Sequence, residues 1–216
     1  LSFKDAIFDE AILARASLNG CNFSNASFKD ANIGAVVAKN AIFSGASLKS
    51  AKLSKGDFSF SDFSKSDLGD IECLSTKFNG ANFTDANLKA NILLELELDG
   101  VNFSGANLEN AAFVKCAIYN SNFTNAKMGS VSFIDCTFNG VSFEHATLNK
   151  ACFVAMKPDN RIMQNISFSN ALLKQANFQN MEIKKGNFSN CNIENAFFGS
   201  SDLQGANFTK SNAPNA

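Results

Sequence analysis

The sequence is poor in several residue types on which functional sites commonly depend. Its 216 residues include no tryptophan, one tyrosine, one histidine and two prolines. With 19 basic and 20 acidic residues the formal net charge is -1, so there is no excess of positive charge for binding nucleic-acid phosphates. No apolar run is long enough to cross a bilayer as a helix, and no signal-peptide pattern stands at the start. These absences exclude a nucleic-acid-binding surface and a membrane-spanning helix from the predicted functions.

Phenylalanine, in contrast, is abundant and periodic. Every fifth residue from Phe3 to Phe208 is large and apolar, with Ala38, Cys73 and Pro158 as the exceptions. We call this residue the centre of its unit; two positions earlier stands a small residue, usually Ala, Cys or Ser. A period of five fits neither an α-helix, with 3.6 residues per turn, nor a flat strand, with a period of two. The pattern therefore predicts a chain that turns at every unit and brings one large and one small residue inward each time.

The short pattern Ala-Asn-Phe/Leu recurs within these units. It occurs at Ala81-Asn82-Phe83, Ala86-Asn87-Leu88, Ala106-Asn107-Leu108, Ala176-Asn177-Phe178 and Ala206-Asn207-Phe208. The chain thereby resembles the pentapeptide-repeat family, whose consensus is A(D/N)LXX, over almost its whole length. The resemblance implies an all-β fold, a right-handed quadrilateral parallel β-helix with four units in each coil.

The spacing of like residues agrees with a coil of four units. Centres 20 residues apart share a character, because an unbroken column of phenylalanines runs from Phe3 to Phe143. We predict a single domain over residues 1–216 with about ten coils and a packed interior. Two units, Val36–Ala38 and Ile92–Leu98, depart from the usual residue sizes, and we expect local bulges there.

One segment keeps the five-residue spacing of the repeat but not its usual residue types. Over residues 155–165, Pro158 would stand at a core centre and Arg161 at a small inward position. Proline cannot donate a ladder hydrogen bond, and burial of an unpaired arginine is costly. We predict a loop of about ten residues, two whole units, extruded from one corner. Lys157, Pro158 and Arg161 are its candidate partner-contacting residues, and a tolerated surface insertion is the alternative.

One outer face is predicted to be apolar where the others are polar. The residue that follows each centre on this face is hydrophobic in five successive coils, and Ile92 precedes one of those centres. An exposed apolar patch on a protein usually marks a contact surface, although strand propensity alone also favours Val and Ile. The candidate partner-binding residues are Leu74, Ile92, Leu94, Val114, Ile134 and Val154.

No residue pattern predicts catalysis, a cofactor or a metal. Four of the six cysteines, Cys21, Cys116, Cys136 and Cys191, fall at small inward positions, where cysteine acts as a small hydrophobe. The only histidine, His145, is expected at a solvated corner. There is no C-x-x-C pair, nucleophile–histidine constellation or phosphate-binding loop. We expect reduced thiols, a cytoplasmic location and no enzymatic activity in this sequence.

The resemblance leaves two functions open. One is a rigid interaction scaffold that presents its apolar face to a protein partner or neighbouring domain, as in bacterial effector ubiquitin ligases similar to HECT enzymes, which are secreted into a host cell. The alternative is a gyrase-binding protein of the quinolone-resistance type, which imitates the shape and charge of DNA. The balanced charge favours the scaffold.

Neither end of the sequence has a cap-like helical pattern. Unpaired strand edges at the end of a β-helix are usually covered. We therefore expect the sequence to be a segment of a longer protein. A homodimer joined through an end coil would cover one of these edges as well.

Overall fold

A computed structural model describes all 216 residues as a β-solenoid. Parallel bridges run from Ser2–Asn22 at one end to Asn192–Asn212 at the other and join residues 20 apart, except for three bridges from Ser142–Ser167 to Cys152–Asn177 that join residues 25 apart. The bridges occur in four registers five residues apart, so that each coil contains four units and has four faces. The period of five and the four-sided coil are therefore confirmed.

Continuous strands occupy only part of this solenoid. Eight short strands form two parallel sheets, with the orders β1-β3-β5-β7 and β2-β4-β6-β8. Their bounds are β1 Ile92–Leu94, β2 Glu97–Asp99, β3 Ala112–Val114, β4 Ala117–Tyr119, β5 Ser132–Ile134, β6 Thr137–Asn139, β7 Cys152–Val154 and β8 Met163–Gln164, with a 3₁₀ helix at Pro158–Arg161. The expectation of ten coils is thus corrected in one respect, because continuous strand ladders span about three turns and isolated bridges join the rest.

The corners that follow the strands differ from most other corners. In most units a hydrogen bond closes the turn after the centre, as where the Ala6 amide donates to the Phe3 carbonyl at 3.1 Å. Such a turn ends the extended backbone at the centre itself. The turns after β1 to β6 lack this bond, and the residue that follows the centre remains extended.

Corners share one unusual backbone conformation. Residues at every fifth position from Asp5 to Asn215 have φ between 50° and 74°, except Ala155 and Asn160. This left-handed region suits Gly, Asn and Asp, which are frequent at these positions. Phe60 adopts it too, and its exposed ring lies over Gly80, where a Cβ would collide with the ring.

Phenylalanine rings fill the interior in stacked columns, as predicted. In the first column Phe43 and Phe63 have ring centroids 4.9 Å apart and an interplanar angle of 3°. Rings of adjacent faces meet edge to face, as do Phe78 and Phe83 at 5.1 Å. Both arrangements are favourable for aromatic pairs. The core is therefore a packed column rather than a channel.

Two undersized centres are compensated within their own units. Ala38 follows Val36, and Cys73 follows Ile71; in both units the large residue occupies the small position and is buried. This exchange keeps the total volume of the unit and needs no bulge. The bulge expected at Val36–Ala38 is therefore wrong, and Ile92–Leu98 contains the regular strands β1 and β2.

The predicted ten-residue loop is corrected to a shorter one. Phe138 pairs with Met163 and Phe143 stacks on Phe168, so the register grows from 20 to 25 residues. One unit, not two, has therefore left the coil. Met163 is buried at a centre and Gln164 continues β8, because the return to the coil occurs before residue 165.

Candidate functional site

The predicted apolar residues come together on one face. Leu94, Val114, Ile134 and Val154 end β1, β3, β5 and β7 and are partners in the parallel register of that sheet. Leu74 lies one coil before Leu94, and Ile92 begins β1. We call the six residues Leu74, Ile92, Leu94, Val114, Ile134 and Val154 the apolar stripe. At the spacing of parallel strands its five coils extend about 20 Å.

Exposure is greatest at the two ends of the apolar stripe. Ile92 is 65% exposed, Leu74 39% and Val154 40%, whereas the middle residues shield one another and are half-buried. A shallow cavity of about 320 Å³ borders Leu74 and Ile92 at the first end. The stripe thus combines exposed hydrophobic side chains with a concave surface.

The opposite face of the solenoid, over the long phenylalanine column, is polar. Its outward positions are mostly Asn, Ser and Thr, and we call it the polar face. Thr84 donates its amide to Asn82 Oδ1 at 3.1 Å, and Asn102 Nδ2 donates to Thr84 Oγ1 at 3.0 Å. Asn122 Nδ2 continues the ladder to Ser104 Oγ at 2.9 Å. These polar groups are therefore satisfied by one another across successive coils.

Beyond Val154 the extruded segment is anchored by Asp135. The carboxylate Oδ1 accepts hydrogen bonds from Asn160 Nδ2 at 3.0 Å and from the amides of Met156 and Lys157 at 3.0 and 3.2 Å. The Asn160 bond is the largest cause that lowers the pKa of Asp135 below its ordinary value, and the two amides act in the same direction. Sequence reasoning missed Asp135 and Asn160, because an acidic residue at a corner looks like any other corner residue.

The three predicted loop residues have different environments. Pro158 begins the 3₁₀ helix, and Lys157 precedes it with an exposed side chain. Arg161 ends the helix and is partly buried; its Nε atom is buried and has no hydrogen-bond acceptor. The structure therefore brings Arg161 to the end of the apolar stripe, beside Val154.

Five of the six cysteines are buried in the core, and Cys152 is half-buried. Cys116 Sγ and Cys136 Sγ donate to the carbonyls of Leu93 and Phe113 at 3.2 and 3.3 Å. Burial raises the pKa of Cys73 to about 12 and that of Cys191 to about 11. Thiols with such pKa values are poor nucleophiles, because the thiolate is the reactive form.

The cysteine, histidine and acidic side chains form neither a disulfide nor a metal-binding cluster. All six cysteines are free, and no group of three or more His, Cys, Asp or Glu side chains is placed to hold a metal ion. His145 lies exposed at a corner with φ 57°. None of the helical structure has the length and apolarity of a membrane span.

Comparison with solved structures finds β-helical repeat proteins. HetL, involved in heterocyst differentiation in the cyanobacterium Nostoc, is 20% identical, with 94% of this chain and 86% of that chain covered and a TM-score of 0.38. Full-length QnrB1, a plasmid-mediated fluoroquinolone resistance protein, is 18% identical over 89% of this chain and 91% of that one, with a TM-score of 0.47. These values are too low to transfer a function. No curated protein sequence matches significantly.

Family sequence models give the assignment. A model of nine pentapeptide repeats matches residues 2–52 and 98–147, and one of eight repeats matches 35–70. A third, described as a pentapeptide repeat region, matches 126–208. Their matches cover most of the solenoid and agree with its five-residue unit. The chain belongs to the pentapeptide-repeat family.

Proposed function

We propose that this protein is a non-catalytic scaffold that binds a protein partner or a neighbouring domain through the apolar stripe. The observation that carries the proposal is the contrast between two faces of one solenoid. Polar side chains on the polar face hydrogen-bond to one another. The side chains of Leu74, Ile92 and Val154 are apolar and remain exposed to water. When a partner covers an apolar patch of this kind and removes it from water, the free energy of the complex is lowered.

The backbone suits this function because it is rigid. Successive coils are joined by backbone hydrogen bonds and stacked rings along the whole chain. A surface that is already ordered loses little conformational entropy on binding. The parent context that we favour is the β-helical module of a bacterial effector, with catalysis supplied by other domains.

Imitation of DNA is the alternative function, and the charges count against it. A duplex mimic needs dense negative charge facing a basic groove. Here acidic residues are paired with lysines one coil away, as in Lys89–Glu109 at 3.1 Å and Lys52–Glu72 at 3.7 Å. We therefore expect purified protein neither to inhibit gyrase supercoiling nor to protect gyrase from quinolones.

Site-specific photocrosslinking tests the proposed function. The crosslinker p-benzoylphenylalanine is introduced in place of Ile92 on the apolar stripe or in place of Ile42 on the polar face. Both isoleucines precede a centre and are exposed, Ile92 to 65% and Ile42 to 37%, so that each position presents the probe to solvent on its own face. We expect a protein adduct from position 92 and none from position 42. Equal labelling from both positions, or adducts from position 42 alone, would contradict the proposal.

A further inference from the structure

The extruded unit opens a cavity at one corner of the solenoid. It measures about 210 Å³ and adjoins the last residue of the apolar stripe. We call it the corner cavity. Its lining includes Val154, Ala155, Arg161, Asn177, Gln179 and Asn180. One side is therefore apolar and continuous with the stripe, and the other is made of amide side chains and a guanidinium group.

Arg161 stands at a position that the fold normally gives to a small residue. Its carbonyl accepts the Glu182 amide at 2.8 Å, and Ile162 pairs with Glu182, so Arg161 is in register with Met181. Cys136 holds the same position one coil earlier. A guanidinium group cannot enter this core without great cost, and the side chain instead lines the corner cavity.

The Arg161 guanidinium group lacks a compensating partner. Its Nε atom is buried without an acceptor, and no carboxylate lies within ion-pair distance. The acidic group that anchors the segment, Asp135, directs Oδ1 to Asn160, Met156 and Lys157. A buried N–H donor of a charged group that makes no hydrogen bond is unfavourable, so the Nε atom favours an added acceptor.

Chemistry identifies that acceptor as a carboxylate. A guanidinium group presents parallel N–H donors that match the two oxygens of a carboxylate. The amides of Asn177, Gln179 and Asn180 supply further donors beside it. Asn177 Oδ1 accepts the Gln179 backbone amide at 2.9 Å, which fixes the orientation of the Asn177 side chain.

We propose that the corner cavity is a carboxylate-binding site that receives an Asp or Glu side chain of the partner bound along the apolar stripe. The proposal rests on the proposed function for the source of the carboxylate. It adds the orientation of the partner, whose acidic residue must lie at the Val154 end of the stripe. Hydrophobic contact then supplies the area of the interface, and Arg161 fixes its direction.

Acetate is the probe that tests the cavity itself. The chain has two arginines, and exposed Arg15 serves as an internal control for Arg161. In ¹⁵N-labelled protein, we expect sodium acetate to shift the Arg161 Nε–H signal saturably, with sodium chloride at equal ionic strength as the reference. A millimolar dissociation constant is about what one bidentate ion pair provides. No saturable shift, or an equal shift of the Arg15 signal, would overturn the site.

Variants separate this site from the apolar stripe. Arg161→Lys keeps the charge but loses the fork of donors, and we expect acetate binding, followed in both proteins by the Val154 methyl signals, to weaken about five-fold or more. Leu74→Asp with Ile92→Asp alters the far end of the stripe, and acetate binding should stay unchanged. If acetate binds wild type while crosslinking at position 92 fails, the carboxylate site stands and the proposed function falls.

A pair of peptides tests the source of the carboxylate. An acetylated and amidated peptide with alternating Val and Thr and a terminal glutamate is compared with its glutamine counterpart. We expect only the glutamate peptide to shift the Arg161 Nε–H signal together with the Val154 methyl signals. Equal shifts from both peptides would show that the cavity does not recognise a side-chain carboxylate.

Discussion

The apolar stripe and the polar face belong to the same solenoid and differ most in their outward side chains. Both turn phenylalanines inward, such as Phe113 below the stripe and Phe123 below the polar face, and both rings are fully buried. On the polar face, Asn122 and Ser104 satisfy each other across coils. The comparison shows that the repeat determines the solenoid, while the outward residues determine which face is available to a partner.

The largest expected effect on stability comes from disrupting the stacked phenylalanine core that lies below both faces. Phe113→Ala and Phe123→Ala each remove a buried ring from a stacked column, and each should cost about 3–5 kcal/mol through the cavity left behind. Chemical denaturation measures the loss of unfolding free energy. Thr124→Ala, an outward neighbour, is the control and should cost less than about 1 kcal/mol. A loss below 1 kcal/mol for either phenylalanine would contradict the stacked core.

Deletions in the extruded segment distinguish one inserted unit from two. Removing residues 157–161 leaves Met156 at the small position that Met181 occupies one coil later, so the coil should close with a change of about 1 kcal/mol or less. Removing ten residues, 155–164, also deletes buried Met163 and should cost about 2–5 kcal/mol. Thermal or chemical unfolding measures both. If the ten-residue deletion were the more stable, the register assigned here would be wrong.

The smallest expected effect is the pH dependence of the segment at the end of the stripe. The folded-state pKa of Asp135 is lowered, mainly by the Asn160 hydrogen bond, from an ordinary value of 3.8. A carboxyl whose pKa is lowered on folding adds stability above its unfolded pKa, and that stability is lost as the pH falls through the folded value. We therefore expect amide exchange of Met156 and Lys157 to accelerate only below about pH 4.

The variant Asp135→Asn is the matched control for this pH dependence. Its side-chain oxygen can still accept the two amides, but it does not titrate in this range. Exchange at Met156 should then be independent of pH through the acidic range, apart from the intrinsic rate. The same acid dependence in the variant would assign the effect to another group.

Much of this architecture could be predicted from the sequence because it is local and repeated. The period of five locates every inward centre, and the spacing of 20 locates the phenylalanine columns. The spacing of phenylalanines in the sequence also indicates a single inserted unit. The long column continues from Phe143 to Phe168, 25 residues later, and then to Phe188 and Phe208 at intervals of 20. Either one or two extra units would preserve the five-residue phase, so the phase alone could not decide the length.

The candidate site was less predictable because it depends on distant contacts. The members of the apolar stripe repeat every coil, and their common face followed from the period. The anchor between Asp135 and Asn160 joins residues 25 positions apart and breaks the repeat, so no periodic signal marks it. The uncompensated Arg161 likewise becomes visible only when the surrounding side chains are placed.

Partner binding through the apolar stripe is tested by the affinity of paired variants for the photocrosslinked partner. Leu74→Asp with Ile92→Asp changes the exposed end of the apolar stripe, and Ser24→Asp with Ile42→Asp makes the same change at equivalent positions on the polar face. Each pair places one new carboxylate 20 residues from an acidic residue, Glu72 or Asp62. Both proteins should melt at similar temperatures, and calorimetry then compares their affinities for the partner. We expect a loss of about 100-fold or more for the stripe variant, because an interface cannot bury unpaired charge, and wild-type affinity for the polar-face variant. Equal affinities of the two variants would contradict binding through the apolar stripe.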